Sequence, residues 1–248
     1  MLYCVKIGVV KINELFLRTE MLIGKEGIES LRQSRVAVFG IGGVGSFVTE
    51  ALARAGIGKL LLCDNDVVAD SNRNRQLVAL ATTTGKSKVQ VMRERIAEIC
   101  PETVVEVSEI FCLPDNVDEI LTGNFDYIVD AIDTVSAKIA IIEYGQKNDI
   151  PVISVMGTGN KLDPARFEIT DIYKTSVCPL CRAMRRELRV RGITAQPVVY
   201  SREEPRKPLF QVDTDSRRAV PGSISFVPPV AGMIAAGEVV RGILQKEL

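Results

Sequence analysis

The chain has 248 residues, 46% of them hydrophobic, enough for one large domain or two small ones. Lys plus Arg and Asp plus Glu both number 31, so net charge is zero and a nucleic-acid partner would have to be met by a local basic patch. There is no histidine, which excludes histidine general bases, triads and metal ligands.

The opening stretch, Met1 to Val10, is apolar but lacks the charged start, long apolar core and cleavage site of a signal peptide. Six scattered cysteines (Cys4, Cys63, Cys100, Cys112, Cys178, Cys181) fit a reducing, cytoplasmic setting. Residues 11–34 read as a helical prefix, Asn13 to Ile23 and Ile28 to Gln33, broken at Gly24–Gly27. Arg35-Val-Ala-Val-Phe39 is a buried strand. It runs into Gly40-x-Gly42-Gly43-x-Gly45 and a helix from Ser46 to Gly56. Strand, glycine turn and helix make a phosphate cradle, because bare backbone N–H groups and the positive helix end meet there. Glycines placed for helix–strand packing alone are the alternative.

Lys59–Asp64 is a second strand ending in an acid suited to ribose hydroxyls, or to capping its own turn. A polar loop, Ser71-Asn72-Arg-Asn-Arg75, precedes a helix over Lys86–Ile99. Thr103–Val107, Phe125–Asp130 and Pro151–Met156 read as strands, with helices at Pro114–Leu121 and Ser136–Lys147 between them. This alternation predicts an α/β fold: a Rossmann-like, mostly parallel sheet with helices on both faces. Ligands in such sheets bind outside the carboxyl ends of the strands, where the glycine turn, Asp64, Arg75, Lys88 and Asp133 all map. Binding of NAD would leave Arg75, Lys88 and Asp133 without a role. Binding of ATP uses two cations for phosphates and an acid for Mg²⁺. Taken singly, Arg75 and Lys88 could be solvated loop charges and Asp133 a helix cap.

Beyond residue 160, strands are expected at Phe167–Ile172 and Pro197–Ser201, and a long mobile loop at 202–223. Ile224–Leu244 is the most membrane-like segment. Glu238 and Arg241 interrupt it and Pro228-Pro229 opens it, so a buried amphipathic helix is expected and no membrane partner. The helix Pro179–Val190 places Arg182, Arg185, Arg186 and Arg189 at i, i+3, i+4, i+7, one basic face that is either solvated or a contact for phosphates.

Gly40-Ile-Gly-Gly-Val-Gly45, Asp64-x-Asp66, Ser71-Asn-Arg-Asn-Arg75-Gln76, Gly85-x-x-Lys88 and Asp130-Ala-Ile-Asp133, in this order, resemble the ubiquitin-activating-type adenylyltransferases. Within that superfamily four stretches resemble the tRNA threonylcarbamoyladenosine dehydratases. They are Phe16–Gly24, Val36–Ser46, Met184–Leu188 with Arg191-Gly-Ile193, and Ser223–Gly232. The resemblance implies one adenylating domain over 1–248, with the prefix at 11–34, an ATP-binding core at 35–160 and a substrate- and dimer-forming part at 161–248. It implies ATP and Mg²⁺ as cofactors and tRNA carrying threonylcarbamoyladenosine as partner. Asp64 and Asn72 would lie in the nucleotide site with the four glycines, Arg75 and Lys88 would hold phosphates, and Asp133 would hold Mg²⁺ or meet the reacting phosphate. Arg18 would reach the ATP of the other subunit in a homodimer, and Arg182, Arg185, Arg186 and Arg189 would meet tRNA. Relatives that activate sulfur-carrier proteins often hold zinc with two C-x-x-C pairs. Cys178-Pro-Leu-Cys181 is only half of such a site, so zinc is not expected. The alternatives are adenylation of the C-terminal glycine of a sulfur-carrier protein, and an NAD-dependent oxidoreductase.

Overall fold

The computed structural model describes residues 12–211 and 220–245, with backbone only for 12 and 13. The apolar start Met1–Val10, with Cys4, lies outside the described residues. A short helix α1 (Ile12–Leu15) leads into α2 (Leu17–Gln33), which is bent at Gly24 (φ 72, ψ 176), within the expected break. Helix and strand then alternate: β1 (Arg35–Phe39), α3 (Gly45–Ala55), β2 (Lys59–Cys63), α4 (Lys88–Ile99), β3 (Val104–Ser108), α5 (Val117–Ile120) and β4 (Tyr127–Asp130). After them come α6 (Val135–Lys147), β5 (Val152–Val155), β6 (Phe167–Asp171), α7 (Pro179–Val190), β7 (Pro197–Ser201) and α8 (Val227–Gln245). The helix expected over Pro114–Leu121 shrinks to α5, because Leu113 and Asn116 close a polar turn before it: the Leu113 N–H donates to Asn116 Oδ1 at 2.8 Å.

One seven-stranded sheet has the order β3-β2-β1-β4-β5-β7-β6. Every neighbouring pair is parallel except β6 with β7. Strand side chains alternate between the two faces. Val36, Val38, Leu60 and Leu62 pack with Val48, Leu52, Met92, Ala231, Ala235 and Val239 of α3, α4 and α8. Ala37, Phe39, Leu61 and Ile128 pack with Ile141, Ile142, Cys181, Met184 and Leu188 of α6 and α7. The sheet is therefore covered on both sides, as the alternation of elements predicts.

By length and apolar composition α8 could cross a membrane. In the fold it lies against α3 so closely that a Cβ on Gly232 would stand 2.5 Å from the Val44 carbonyl oxygen. Part of the expected mobile loop is pinned. Glu203 accepts from the N–H groups of Leu162 and Asp163, and the Arg206 N–H donates to the Asn160 carbonyl. Residues 212–219 of that segment lie outside the described residues.

Candidate active site

The strand order turns back at β1, which is flanked by β2 and β4. At such a switch point the loops leaving neighbouring strands diverge and open a crevice at the carboxyl edge. Here the loops after β1 and β4 come so close that a Cβ on Gly40 (φ 86) would stand 2.8 Å from the Ala131 carbonyl oxygen. A Cβ on Gly45 would stand 1.7 Å from the Gly40 carbonyl oxygen, so no other residue fits without moving the turn or α3. Gly42 differs, because its Cβ would meet only Gln76 Nε2 at 3.7 Å, and it borders open space.

That space is a cavity of about 480 Å³. Gly40, Gly42, Gly43, Asp64, Asn72, Arg75, Lys88 and Asp133 all line it, together with Asp66, Gln76, Thr158 and Pro228. Four features of this cavity favour a nucleotide. First, the N–H groups of Gly42, Gly43 and Val44 have no acceptor among the described residues, and no side chain caps α3. Such a bare helix start receives anions. Second, Gln76 is buried, yet its Oε1 has no donor among the described residues. A buried amide acceptor left bare is costly unless a ligand supplies the donor. Third, two cations stand on the wall. Among the described residues Arg75 donates to the Ser71 carbonyl and to Asn74 Oδ1 and pairs with no carboxylate, and burial holds its pKa below the usual guanidinium range. Lys88 is buried and pairs with the exposed Asp66 at 2.7 Å. Fourth, Asp133 is exposed to the cavity. Among the described residues its one hydrogen bond is a marginal 3.5 Å approach of the Thr134 hydroxyl, and no side chain caps α6, so capping is not its role.

Two predicted residues also hold the site together. Asp64 Oδ2 accepts from the Ile41 N–H at 2.6 Å and Oδ1 from the Asp66 N–H at 2.8 Å. It fixes the turn while facing the cavity, and desolvation raises its pKa, with Lys88 pulling the other way. Asn72 Oδ1 accepts from the Ala69 N–H at 3.1 Å. Ser46 ties two loops together: its hydroxyl donates to the Gly42 carbonyl at 2.6 Å and accepts from the Leu77 N–H at 3.2 Å. Beneath the site Asp130 and Lys138 form a fully buried pair at 2.9 Å. The Ser154 hydroxyl donates to the same carboxylate oxygen, and Lys138 also donates to the Val155 carbonyl.

The remaining predicted residues lie outside this cavity. Phe16 packs on Gly56 at the amino edge of the sheet, and Arg18 stands exposed as the second residue of α2. Of the α7 arginines, Arg182, Arg186 and Arg189 are exposed. Arg186 pairs with Glu187 at 2.9 Å, and Arg189 lies over the Tyr173 ring at 5.2 Å. Arg185 does not share their face. It turns inward and donates to the carbonyl and hydroxyl of Thr175, because a half-buried guanidinium must find acceptors. Gln76 and Pro228 join the site although no sequence pattern marks them as ligands. Gln76 adjoins Arg75 in the polar motif, whereas Pro228 arrives from α8, more than a hundred residues away.

The chain belongs to the ThiF family, whose model matches residues 16–248. Within it, the chain is similar to the tRNA threonylcarbamoyladenosine dehydratase of Bacillus subtilis (strain 168), 45% identical over 240 residues, which is 93% of this chain and 94% of that protein. Among solved structures it is similar to E. coli tRNA N6-threonylcarbamoyladenosine dehydratase in complex with ATP, with a TM-score of 0.86 at 34% identity over 95% of this chain and 96% of that one. The same E. coli enzyme in complex with AMP gives a TM-score of 0.86.

Proposed function

We propose that this chain dehydrates N6-threonylcarbamoyladenosine in tRNA at the expense of ATP, by adenylating its carboxylate. The observation that carries the reading is one cavity in which a bare glycine turn, Arg75, Lys88 and Asp133 converge, in a chain similar over nearly its whole length to such dehydratases. A carboxylate and a triphosphate repel each other, and fixed cations at the phosphates lower the barrier to their meeting. The carboxylate oxygen bonds to the α-phosphorus and pyrophosphate leaves. The neighbouring carbamoyl group then attacks the acyl carbon, and AMP leaves as the ring closes. The nucleoside loses one water, whose oxygen ends in AMP.

In this reading the turn, Arg75 and Lys88 hold phosphates. Asp64 and Asn72 face the nucleoside, Gln76 Oε1 accepts a hydrogen bond from it, and Asp133 holds Mg²⁺. Arg182, Arg186 and Arg189 meet tRNA phosphates, while Arg185 anchors the helix that carries them. A homodimer accounts for Arg18. Leu17, Met21 and Leu22 around it are 55%, 78% and 87% exposed, an apolar surface that a second copy would cover. A cytoplasmic setting follows from the substrate. Activation of a sulfur-carrier protein gains no support from a zinc site: among the described residues no group of three or more cysteine or carboxylate side chains could hold a metal.

The test is incubation with ATP, Mg²⁺ and tRNA bearing threonylcarbamoyladenosine. The expected product is a nucleoside lighter by one water, formed with one AMP per turnover. Formation of AMP with a sulfur-carrier protein but not with this tRNA would refute the assignment. Replacing Arg182 and Arg189 together by alanine is expected to flatten the salt dependence of tRNA binding by roughly two units, with ATP binding unchanged.

A further inference from the structure

Cys178 and Cys181 have no part in the reaction above, yet their surroundings differ from those of the other described thiols. Cys178 is the N-cap of α7. Its sulfur accepts from the Cys181 N–H at 3.5 Å, so the two cysteines lie together in the first turn of α7. Cys178 keeps 5% of its surface exposed and Cys181 none, so a small solute meets Cys178 first. Lys161, only 4% exposed, is close enough for its positive charge to act on the Cys178 sulfur. A positive charge near a thiol favours its thiolate. On the far side, Thr175 and Arg185 lie against Cys181.

We propose that Cys178 and Cys181 form a peroxide-reactive dithiol site that closes reversibly to a disulfide, with Cys178 as nucleophile and Cys181 as resolving thiol. The Cys178 thiolate attacks one peroxide oxygen, and the O–O bond breaks. Hydroxide leaves, takes up a proton to become water, and a sulfenic acid remains. The Cys181 sulfur then attacks the Cys178 sulfur, and the second hydroxide departs with the Cys181 proton as water. Two thiols lose two electrons and one hydrogen peroxide becomes two waters. Two groups set the direction of attack. The Cys181 hydrogen bond, and after it Lys161, hold the Cys178 thiol below the usual thiol range, and the same contact pushes Cys181 up. Cys63 and Cys112 show the contrast: burial pushes them up to about 11 and about 12.

Trypsin, cutting after Lys174 and Arg182, releases both sulfurs in one peptide, Thr175–Arg182, that holds no other cysteine. The full-length protein, reduced and desalted, is treated with hydrogen peroxide, then alkylated under denaturing conditions and digested. The expected result is a Thr175–Arg182 peptide without alkyl groups and two hydrogens lighter than the dithiol. It forms roughly tenfold faster than any loss of alkylation at Cys63 or Cys112, and dithiothreitol restores the dithiol. A peptide that stays doubly alkylated until Cys63 is oxidised, or that passes directly to sulfinic acid, overturns the proposal. In Cys181→Ser the sulfenic acid at Cys178 should persist and take up dimedone. Absence of that adduct in folded protein counts equally against it. The peptide map of the unaltered chain decides the question whether or not this variant folds.

Discussion

Lys138 supports the site from below, and its replacement by methionine tests that role. Both partners of the Lys138–Asp130 pair are fully buried. Methionine keeps most of the volume but leaves the Asp130 carboxylate with only the Ser154 hydroxyl at 2.7 Å and the Ile132 N–H at 3.3 Å. Removing one partner of a buried pair costs about 3–5 kcal/mol, because the remaining charge is stranded. Lys138→Met should therefore lose about 4 kcal/mol. At a urea slope near 3 kcal/mol/M, that lowers the midpoint by about 1 M or more. The chain has no tryptophan, so far-UV circular dichroism is the suitable probe. Asp130→Asn alone should cost a similar amount, since it strands the ammonium. The double variant should cost less than the sum, with a coupling energy of about 2 kcal/mol. Below its melting range, Lys138→Met should also bind ATP less well, because Asp130 holds the first residues of the loop that ends at Asp133. A loss under about 1 kcal/mol, or costs that simply add, would refute the reasoning.

Arg75→Ala and Lys88→Ala should each weaken ATP binding roughly 10- to 100-fold in calorimetry, as loss of a charge-assisted hydrogen bond implies, and AMP binding less. Equal effects on both nucleotides would move these cations away from the outer phosphates. Gly45→Ala should lower the melting temperature sharply, because its Cβ falls 1.7 Å from a carbonyl oxygen. Gly42→Ala should fold normally and lose ATP affinity, and the reverse ranking would overturn the packing argument. Alkali should destabilise the fold. Burial lifts Cys63 from its ordinary 9 to about 11 and Cys112 to about 12, so the folded state holds these protons more tightly than the unfolded chain. Their stabilisation is complete below the unfolded thiol value and is lost as pH rises through the folded values. A shift of about two units corresponds to about 3 kcal/mol. Urea midpoints under reductant should fall between about pH 8.5 and pH 11, and a flat profile would contradict this.

Much of this was legible in the sequence because it is local. Apolar runs bounded by turn residues mark β1, β2, β4 and β5, and glycine spacing marks the phosphate turn. Each residue assigned to the nucleotide cavity follows a strand or opens a helix at the same edge. What escaped depends on pairing across distance. Nothing near Phe167 tells that β6 runs antiparallel, or that β7 inserts between it and β5. The inward turn of Arg185 is set by the Thr175 acceptors on a preceding loop, whereas helical spacing places it with Arg182 and Arg186. Pro228 enters the cavity because α8 packs on α3, a tertiary contact with no local signal.

The Lys88–Asp66 pair has a consequence for selectivity. The carboxylate that occupies the ammonium is tethered to the same wall, so any incoming phosphate displaces an intramolecular rival present at high effective concentration. Weak, singly charged anions lose that competition and a polyphosphate wins it. Asp66 thus acts as a threshold, lowering occupancy by stray anions at the cost of some nucleotide affinity. Asp66→Asn should bind both inorganic phosphate and ATP more tightly, with phosphate gaining proportionally more.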